Sequence, residues 1–208
     1  MGLPMRIAVV TETYPPEING VALTVAGFVE QLTRQGHEVL LVRPRQDGVP
    51  DAAPAARETL VPGAGIPRYP GLRFGLPATR RLRADWSQQR PDAVYIATEG
   101  PLGWSALRAA EALGIPAATG FHTRFDDYFA HYGAAWLTPA VSAWQRRFHN
   151  RADATLVPTR GLEALLQARG FTRVRRLARG VDATQFSPDH RDTLLRSEWA
   201  LDDDDLAV

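Results

Sequence analysis

The chain has 208 residues, 45% of them hydrophobic, and a formal net charge of +1. That length supports a substantial core as one large domain, and the near-neutral charge excludes bulk attraction to nucleic acid as an organising force. The absence of cysteine excludes a disulfide framework, a thiolate nucleophile and a cysteine-ligated metal, and all 24 basic residues are arginine, the habit of a GC-rich genome.

Ile7 to Val10 is a short β-branched run suited to a strand buried on both faces, and Pro15-Pro16 forbids its continuation. Val21 to Leu32 then carries apolar residues at helical spacing, so Asn19 and Gly20 fall at a helix N-terminus, where backbone N–H groups and the helix dipole favour a phosphate. A turn merely capped by Asn19 is the plainer reading. Gly36 closes this helix, with His37 beside it as a surface residue, and Val39 to Val42 is a second strand.

Pro44 to Pro77 holds seven prolines and five glycines, so little regular structure is expected beyond a short strand near Thr59 to Val61. Gly63-Ala-Gly65 opens like a dinucleotide fingerprint, but the third glycine is absent and Pro67 sits in the turn, so that reading is discarded. Arg68, Arg73, Arg80, Arg81, Arg83 and Arg90, opposed only by Asp85, make a basic patch. A solvated helix face accounts for it; a site for an anionic acceptor or headgroup is the alternative.

Ala93 to Ala97 reads as a buried strand whose C-terminal loop carries Glu99. Ligands of open α/β sheets bind at such ends, so Glu99 is a candidate site carboxylate, weighed evenly against a carboxylate stabilising the helix from Trp104 to Leu113. No second carboxylate stands at a spacing that pairs with it, so a two-carboxylate hydrolase cannot be argued. Ile115 to Thr119 is another strand, delivering His122 into a loop beside Gly120. His122 and His131 lack His-x-x-x-His spacing, which leaves a zinc site without support. Trp136 to Ala152 puts Val141, Trp144 and Phe148 on one stripe amid arginines; a core-facing helix is the first reading and a membrane-surface helix the second. Ala154 to Val157 is a strand, Pro158-Thr159 caps a helix ending near Gly170, and Val174 to Ala178 is the last strand. The last 27 residues carry eight acidic and two basic residues, with Asp202 to Asp205 a solvated run rather than a metal pair at a strand end. The alternation of strands and helices predicts an α/β domain, Rossmann-like and doubly wound, with a mostly parallel sheet covered on both faces. Met1 to Pro4 is too short for a signal n-region, and no apolar run approaches the roughly 18 residues of a spanning helix. A cytoplasmic protein, or one peripheral at the inner face of the membrane, is therefore expected.

Three stretches are more specific than their geometry. Thr11-Glu-Thr-Tyr-Pro-Pro-Glu-Ile-Asn-Gly-Val21 resembles the opening of the retaining GT-B glycosyltransferases of family four, with Asn19 in place of the first residue of the usual Gly-Gly pair. Gly120-Phe-His-Thr-Arg-Phe-Asp-Asp-Tyr-Phe-Ala-His-Tyr-Gly133 is similar to the family's second block, and Gly180-Val-Asp with Phe186-Ser-Pro188 to a third. Ile66 to Pro77 looks like the corresponding segment of the mannosyltransferase-like subgroup. The resemblance implies transfer of a sugar from a nucleotide diphosphate donor, GDP-mannose or else a UDP-sugar, to a hydroxyl of a glycolipid or saccharide, with no metal and no cofactor. It places His122 near the reacting carbon, Asn19, Gly20 and Arg179 on the donor side, and Glu12, Tyr14, Glu99, Arg124 and Tyr128, with His131, around the acceptor. It covers half of a family member. Residues 1–188 are thus expected to be an N-terminal acceptor-side domain and 189–208 an acidic linker toward a C-terminal donor-binding domain. A stand-alone, non-enzymatic α/β module binding a sugar or glycolipid is the alternative.

Overall fold

The computed structural model describes residues 3–46, 57–66, 69–122, 138–178, 180, 183, 186–202 and 204–205. The chain divides into two compact units, Met1–Ala178 and Arg179–Val208. In chain order the first contains β1 (Arg6–Val10), α1 (Gly20–Arg34), β2 (Glu38–Pro44), β3 (Arg57–Val61), β4 (Gly63–Ile66), β5 (Tyr69–Gly75) and α2 (Thr79–Gln88). There follow β6 (Ala93–Ile96), α3 (Pro101–Leu113), β7 (Ala117–Gly120), α4 (Thr138–His149), β8 (Ala154–Val157), α5 (Arg160–Ala168) and β9 (Val174–Arg176). The second unit holds a 3-10 turn at Pro188–His190 and α6 (Thr193–Glu198), where the Asp192 carboxylate accepts from the N–H groups of Leu194 and Leu195.

Seven strands form one sheet in the order β3-β2-β1-β6-β7-β8-β9, and every neighbouring pair is parallel. Side chains alternate between its faces with period two. Ala8, Val10, Leu40, Val42, Val94 and Ile96 face Leu82 and Trp86 of α2, Leu102 and Leu107 of α3, and Phe148 of α4. Val9, Val39, Leu41 and Tyr95 face the other way, onto Val25 and Val29 of α1. Both faces of the central strands are dry, which is why β1 and β2 read as unbroken apolar runs. A third cluster joins Leu166 of α5 to Phe121, Val157, Phe171 and Val174. The expected doubly wound α/β sheet is therefore present.

Within the stretch from Pro44 to Pro77, the described residues 57–66 and 69–77 hold more regular structure than expected. Beyond β3, its strands β4 and β5 pair as an antiparallel hairpin, Gly63 opposite Gly75, with an irregularity at Gly65/Ile66. The glycines that read as breakers permit close approach instead. A Cβ on Gly63 would lie 2.9 Å from the Pro44 Cβ, and one on Gly75 would lie 2.7 Å from the Leu102 Cβ. Arg80, Arg81 and Arg83 are exposed on α2 while Leu82 and Trp86 are buried, the pattern of a solvated helix face. On α4 the inward stripe is Gln145, Phe148 and His149 rather than Val141, Trp144 and Phe148; Trp144 is 40% exposed and flanks Trp104 and Phe148. No helix among the described residues is long and apolar enough to cross a membrane.

Helix α3 approaches the end of β6 so closely that a Cβ on Gly103 would lie 1.9 Å from the Thr98 carbonyl oxygen. Backbone on both sides leaves little room to relax, so Gly103→Ala is expected to cost about 3 kcal/mol of stability, at the upper end for overpacking. Urea unfolding measures this, and a loss below about 0.5 kcal/mol, the range of a neutral surface change, would refute the close approach.

Candidate functional site

Strand order reverses between β1 and β6: from β1 the chain steps outward to β2 and β3, then returns to β6 and steps the other way. In an open parallel sheet this reversal leaves a crevice outside the carboxyl ends of the two strands. Glu12 leaves β1 at this point, and Thr98 and Glu99 leave β6. The Glu12 N–H donates to Thr98 Oγ1 at 2.9 Å, joining the two loops.

Both carboxylates turn inward. Glu12 is 8% exposed, and its Oε1 accepts from the Leu102 N–H at 2.9 Å, on the N-terminus of α3. Gly100 makes the space, since a Cβ there would lie 2.1 Å from Glu12 Oε1. Burial pushes Glu12 up to about 7, against the pull of the Leu102 and Gly103 N–H groups, and the charge of Glu99 adds to the rise. Glu99 is 7% exposed and accepts from Gln145 Nε2 of α4 at 2.7 Å; burial raises its pKa too. The carboxylate stabilising α3 is Glu12 rather than Glu99, because the helix begins at Pro101 and the Leu102 N–H in its first turn donates to Glu12. Both acids are nearly buried and bonded within the protein, Glu12 to the first turn of α3 and Glu99 to Gln145.

His122 follows β7 and is partly buried. Its Nε2 lies 2.8 Å from the Tyr95 hydroxyl, on the sheet face that carries α1. On the opposite face the preceding residue, Phe121, is held by Leu166 and Phe171, and its N–H donates to the Leu156 carbonyl at 2.9 Å. His149 of α4 is fully buried, with Nδ1 2.8 Å from Thr119 Oγ1; burial, helped by His122, pushes its pKa down to about 3, so it is neutral. Tyr95, Gln145 and His149 were not singled out from the sequence. The one available signal was a lone hydroxyl within the otherwise aliphatic run Ala93–Ala97.

The loop between β1 and α1 is held by a relay of side chains. Asn19 caps α1 in an extended conformation, its Oδ1 accepting from the N–H groups of Val21 (3.1 Å) and Ala22 (2.9 Å). Its Nδ2 donates to Thr13 Oγ1 (2.6 Å), Thr13 donates to Glu17, and Gln46 bridges Glu17 (2.7 Å) and the Tyr14 carbonyl (3.0 Å). Gln46 in turn accepts from Arg43, which is ion-paired with Glu58 and lies 5.9 Å from the Tyr14 ring centroid. Pro15-Pro16 is a cis peptide. Asn19 thus takes up two of the N–H groups expected to meet a phosphate, and neither Asn19 nor Gly20 adopts a left-handed backbone. Gly20 has open space where a Cβ would stand. Tyr14 is partly buried against the α1 side of the sheet, and burial raises its pKa. Arg124, Tyr128, His131 and Arg179 lie outside the described residues. Among the described residues no three His, Asp or Glu side chains gather as a metal set.

The Glycosyltransferase Family 4 profile matches residues 18–185, which span α1, every strand of the sheet but β1, and His122. The chain belongs to glycosyltransferase family 4. It is 36% identical over 202 residues to a GDP-mannose-dependent alpha-mannosyltransferase of Mycobacterium tuberculosis, covering 95% of this chain and 53% of that protein. It is 34% identical over 168 residues to an alpha-monoglucosyldiacylglycerol synthase of Acholeplasma laidlawii, covering 75% of this chain and 41% of that protein. The chain spans about half the length of the mannosyltransferase it matches. Among solved structures, sucrose-phosphate synthase from Thermosynechococcus elongatus superposes with a TM-score of 0.63 at 15% identity, covering 96% of this chain and 53% of that one. The family-4 domain is therefore one Rossmann-like half of a GT-B fold.

The Glu12 carboxyl gives this domain a pH signature. Its pKa is raised from 4.5 to about 7 in the fold, so the native state keeps a proton that the unfolded chain releases. Stability is full below about pH 4.5 and is lost as pH rises through 7, by about 3 kcal/mol in all. Glu12→Gln keeps an acceptor for Leu102 and removes the titration. Urea unfolding at pH 5, 6, 7 and 8 should show the variant gaining on the wild type by that amount; a gap that stays constant with pH would show that Glu12 is not a buried, proton-holding acid.

Proposed function

We propose that this domain forms the acceptor-side half of a retaining glycosyltransferase that moves a sugar from a nucleotide diphosphate donor to a hydroxyl of a glycolipid or saccharide. The observation that carries the reading is His122: a side chain delivered beyond the end of β7, beside the reversal of the sheet, and held in place by a buried tyrosine. The similarity to a mannosyltransferase supports GDP-mannose as donor, with UDP-sugars second. The similarity to an alpha-monoglucosyldiacylglycerol synthase supports a lipid-linked acceptor.

In this reading His122 contacts the donor sugar near the reacting carbon, and the Gly20 backbone approaches the diphosphate. Tyr14, Arg124 and Tyr128 are assigned to the acceptor, and Arg179 to the donor. No metal or cofactor is assigned. Retention at an oxocarbenium-like centre rests on placement and on neutralising the leaving diphosphate, with no strong protein base required. The loss of one such positioned contact costs about 100-fold. Accordingly, His122→Ala is expected to lower turnover by about 100-fold in an enzyme carrying this domain together with the second half present in its relatives. Unchanged turnover in a folded variant would remove His122 from the site.

The same reading limits what the 208 residues do alone. A helix N-terminus contributes about 1 kcal/mol toward an anion, against roughly 6–8 kcal/mol for a donor held at micromolar to tens-of-micromolar Kd. Calorimetric titration with GDP-mannose and with UDP-glucose should therefore detect weak binding or none. Micromolar binding by this chain would assign it to the donor side of the cleft instead.

A further inference from the structure

We propose that Tyr95 is the positioning residue of His122: its hydroxyl donates to Nε2 and holds the imidazole as the Nδ1–H tautomer in one fixed orientation. Three observations converge on this. The Tyr95 oxygen stands 2.8 Å from His122 Nε2, a full hydrogen-bond contact. Tyr95 lies on β6, next to the strand reversal, is 8% exposed, and its ring is packed on Phe28 of α1 with centroids 4.9 Å apart, so the phenol has no freedom to swing away. Finally, a Cβ at position 120 would lie 2.3 Å from the Tyr95 hydroxyl and 2.5 Å from His122 Nε2. The pair exists because residue 120 is glycine.

The direction of the bond follows from acid–base chemistry. Near neutral pH a phenol holds its proton and an imidazole has a lone pair to offer, so O–H to Nε2 is the matched arrangement. With Nε2 accepting, the ring proton resides on Nδ1. In that state neither ring nitrogen offers a free lone pair, since Nε2 is engaged by the phenol and the buried Nδ1 carries the proton, which does not suit abstraction of a proton. The tyrosine touches no reacting group in this scheme; it acts through the histidine. The consequence for catalysis rests on the assignment of His122 to the donor sugar, whereas the pairing itself does not.

The test uses the 208-residue chain labelled with 15N, with long-range 1H–15N correlation of its imidazoles at neutral pH. The His122 pattern is identified by its loss in His122→Gln. The wild type should show Nδ1 in the protonated range and Nε2 in the unprotonated range; a protonated Nε2 overturns the proposal with no variant needed. In Tyr95→Phe, which keeps the packed ring, the two nitrogens should shift toward each other or exchange ranges while the His149 pattern stays unchanged. An unmoved His122 pattern in that variant also overturns the proposal. Turnover in the longer enzyme separates the two readings. If Tyr95→Phe changes the tautomer and lowers kcat about 10-fold in a wild-type background but not in His122→Ala, the histidine is positioned for the reaction. If the tautomer changes while His122→Ala leaves kcat intact, the pairing stands and the sugar-site reading of His122 fails.

Discussion

Glu12 puts a carboxylate where the sheet reverses direction, and it does so inside the protein. Its backbone N–H reaches Thr98 beyond β6, and its side chain accepts from the first turn of α3. One residue thereby joins the ends of the two central strands to the helix that crosses between β6 and β7. The arrangement depends on absent side chains: Gly100 leaves room for the carboxylate, and Gly103 lets the α3 backbone close on Thr98. A buried acid is costly when ionised, so the protein satisfies it with backbone N–H groups and a helix dipole and still holds its pKa near neutrality. Glu99 extends the constraint to α4 through Gln145. The floor of the crevice is accordingly a fixed polar layer rather than a set of loops free to adapt.

The left wall of the crevice is held by a different device. Asn19, Thr13, Glu17, Gln46, Arg43 and Glu58 form a continuous relay from the start of α1 to the sheet edge at β3. Arg43 and Glu58 side chains are each buried there, and Arg43 is held further by Gln46 rather than by solvent. The right wall is held by the Phe121 cluster on one face and by the Tyr95–His122 pair on the other. Between rigid walls, His122 sits at a defined place outside the sheet.

Much of this architecture was legible because its signals are local. Apolar β-branched runs gave β1, β2 and β6; Asn19 marked the start of α1 and Gly36 its end; and His122 was placed by a glycine at a strand terminus. The hairpin β4–β5 was not legible, because Gly63 and Gly75 serve a contact with Pro44 and Leu102 that is invisible in the sequence. Glu99 was weighed for the task that Glu12 performs for the same reason: a helix N-terminus attracts a carboxylate, but the sequence shows only the nearest one, and the one that serves is 90 residues away from Leu102. Tyr95 and His149 were hidden by their setting in an aliphatic strand and on a helix with arginines around it. Contacts between distant loops carry the site, and periodicity does not report them.

The way the two helix ends at the crevice are filled bears on which side of a transfer reaction this domain serves. The N-terminus of α3 already holds the Glu12 carboxylate, and the N-terminus of α1 already holds the Asn19 carboxamide oxygen on two of its N–H groups. A diphosphate seated squarely on either would have to displace a protein group, and at α3 it would meet a second buried acid. The unobstructed approach is over Gly20, where backbone rather than charge is offered. A surface of this kind can line up a sugar and an incoming hydroxyl, but it supplies little neutralisation for a leaving diphosphate. That is the division of labour the acceptor-side reading requires, in which the cations facing the diphosphate come from the other wall of the cleft.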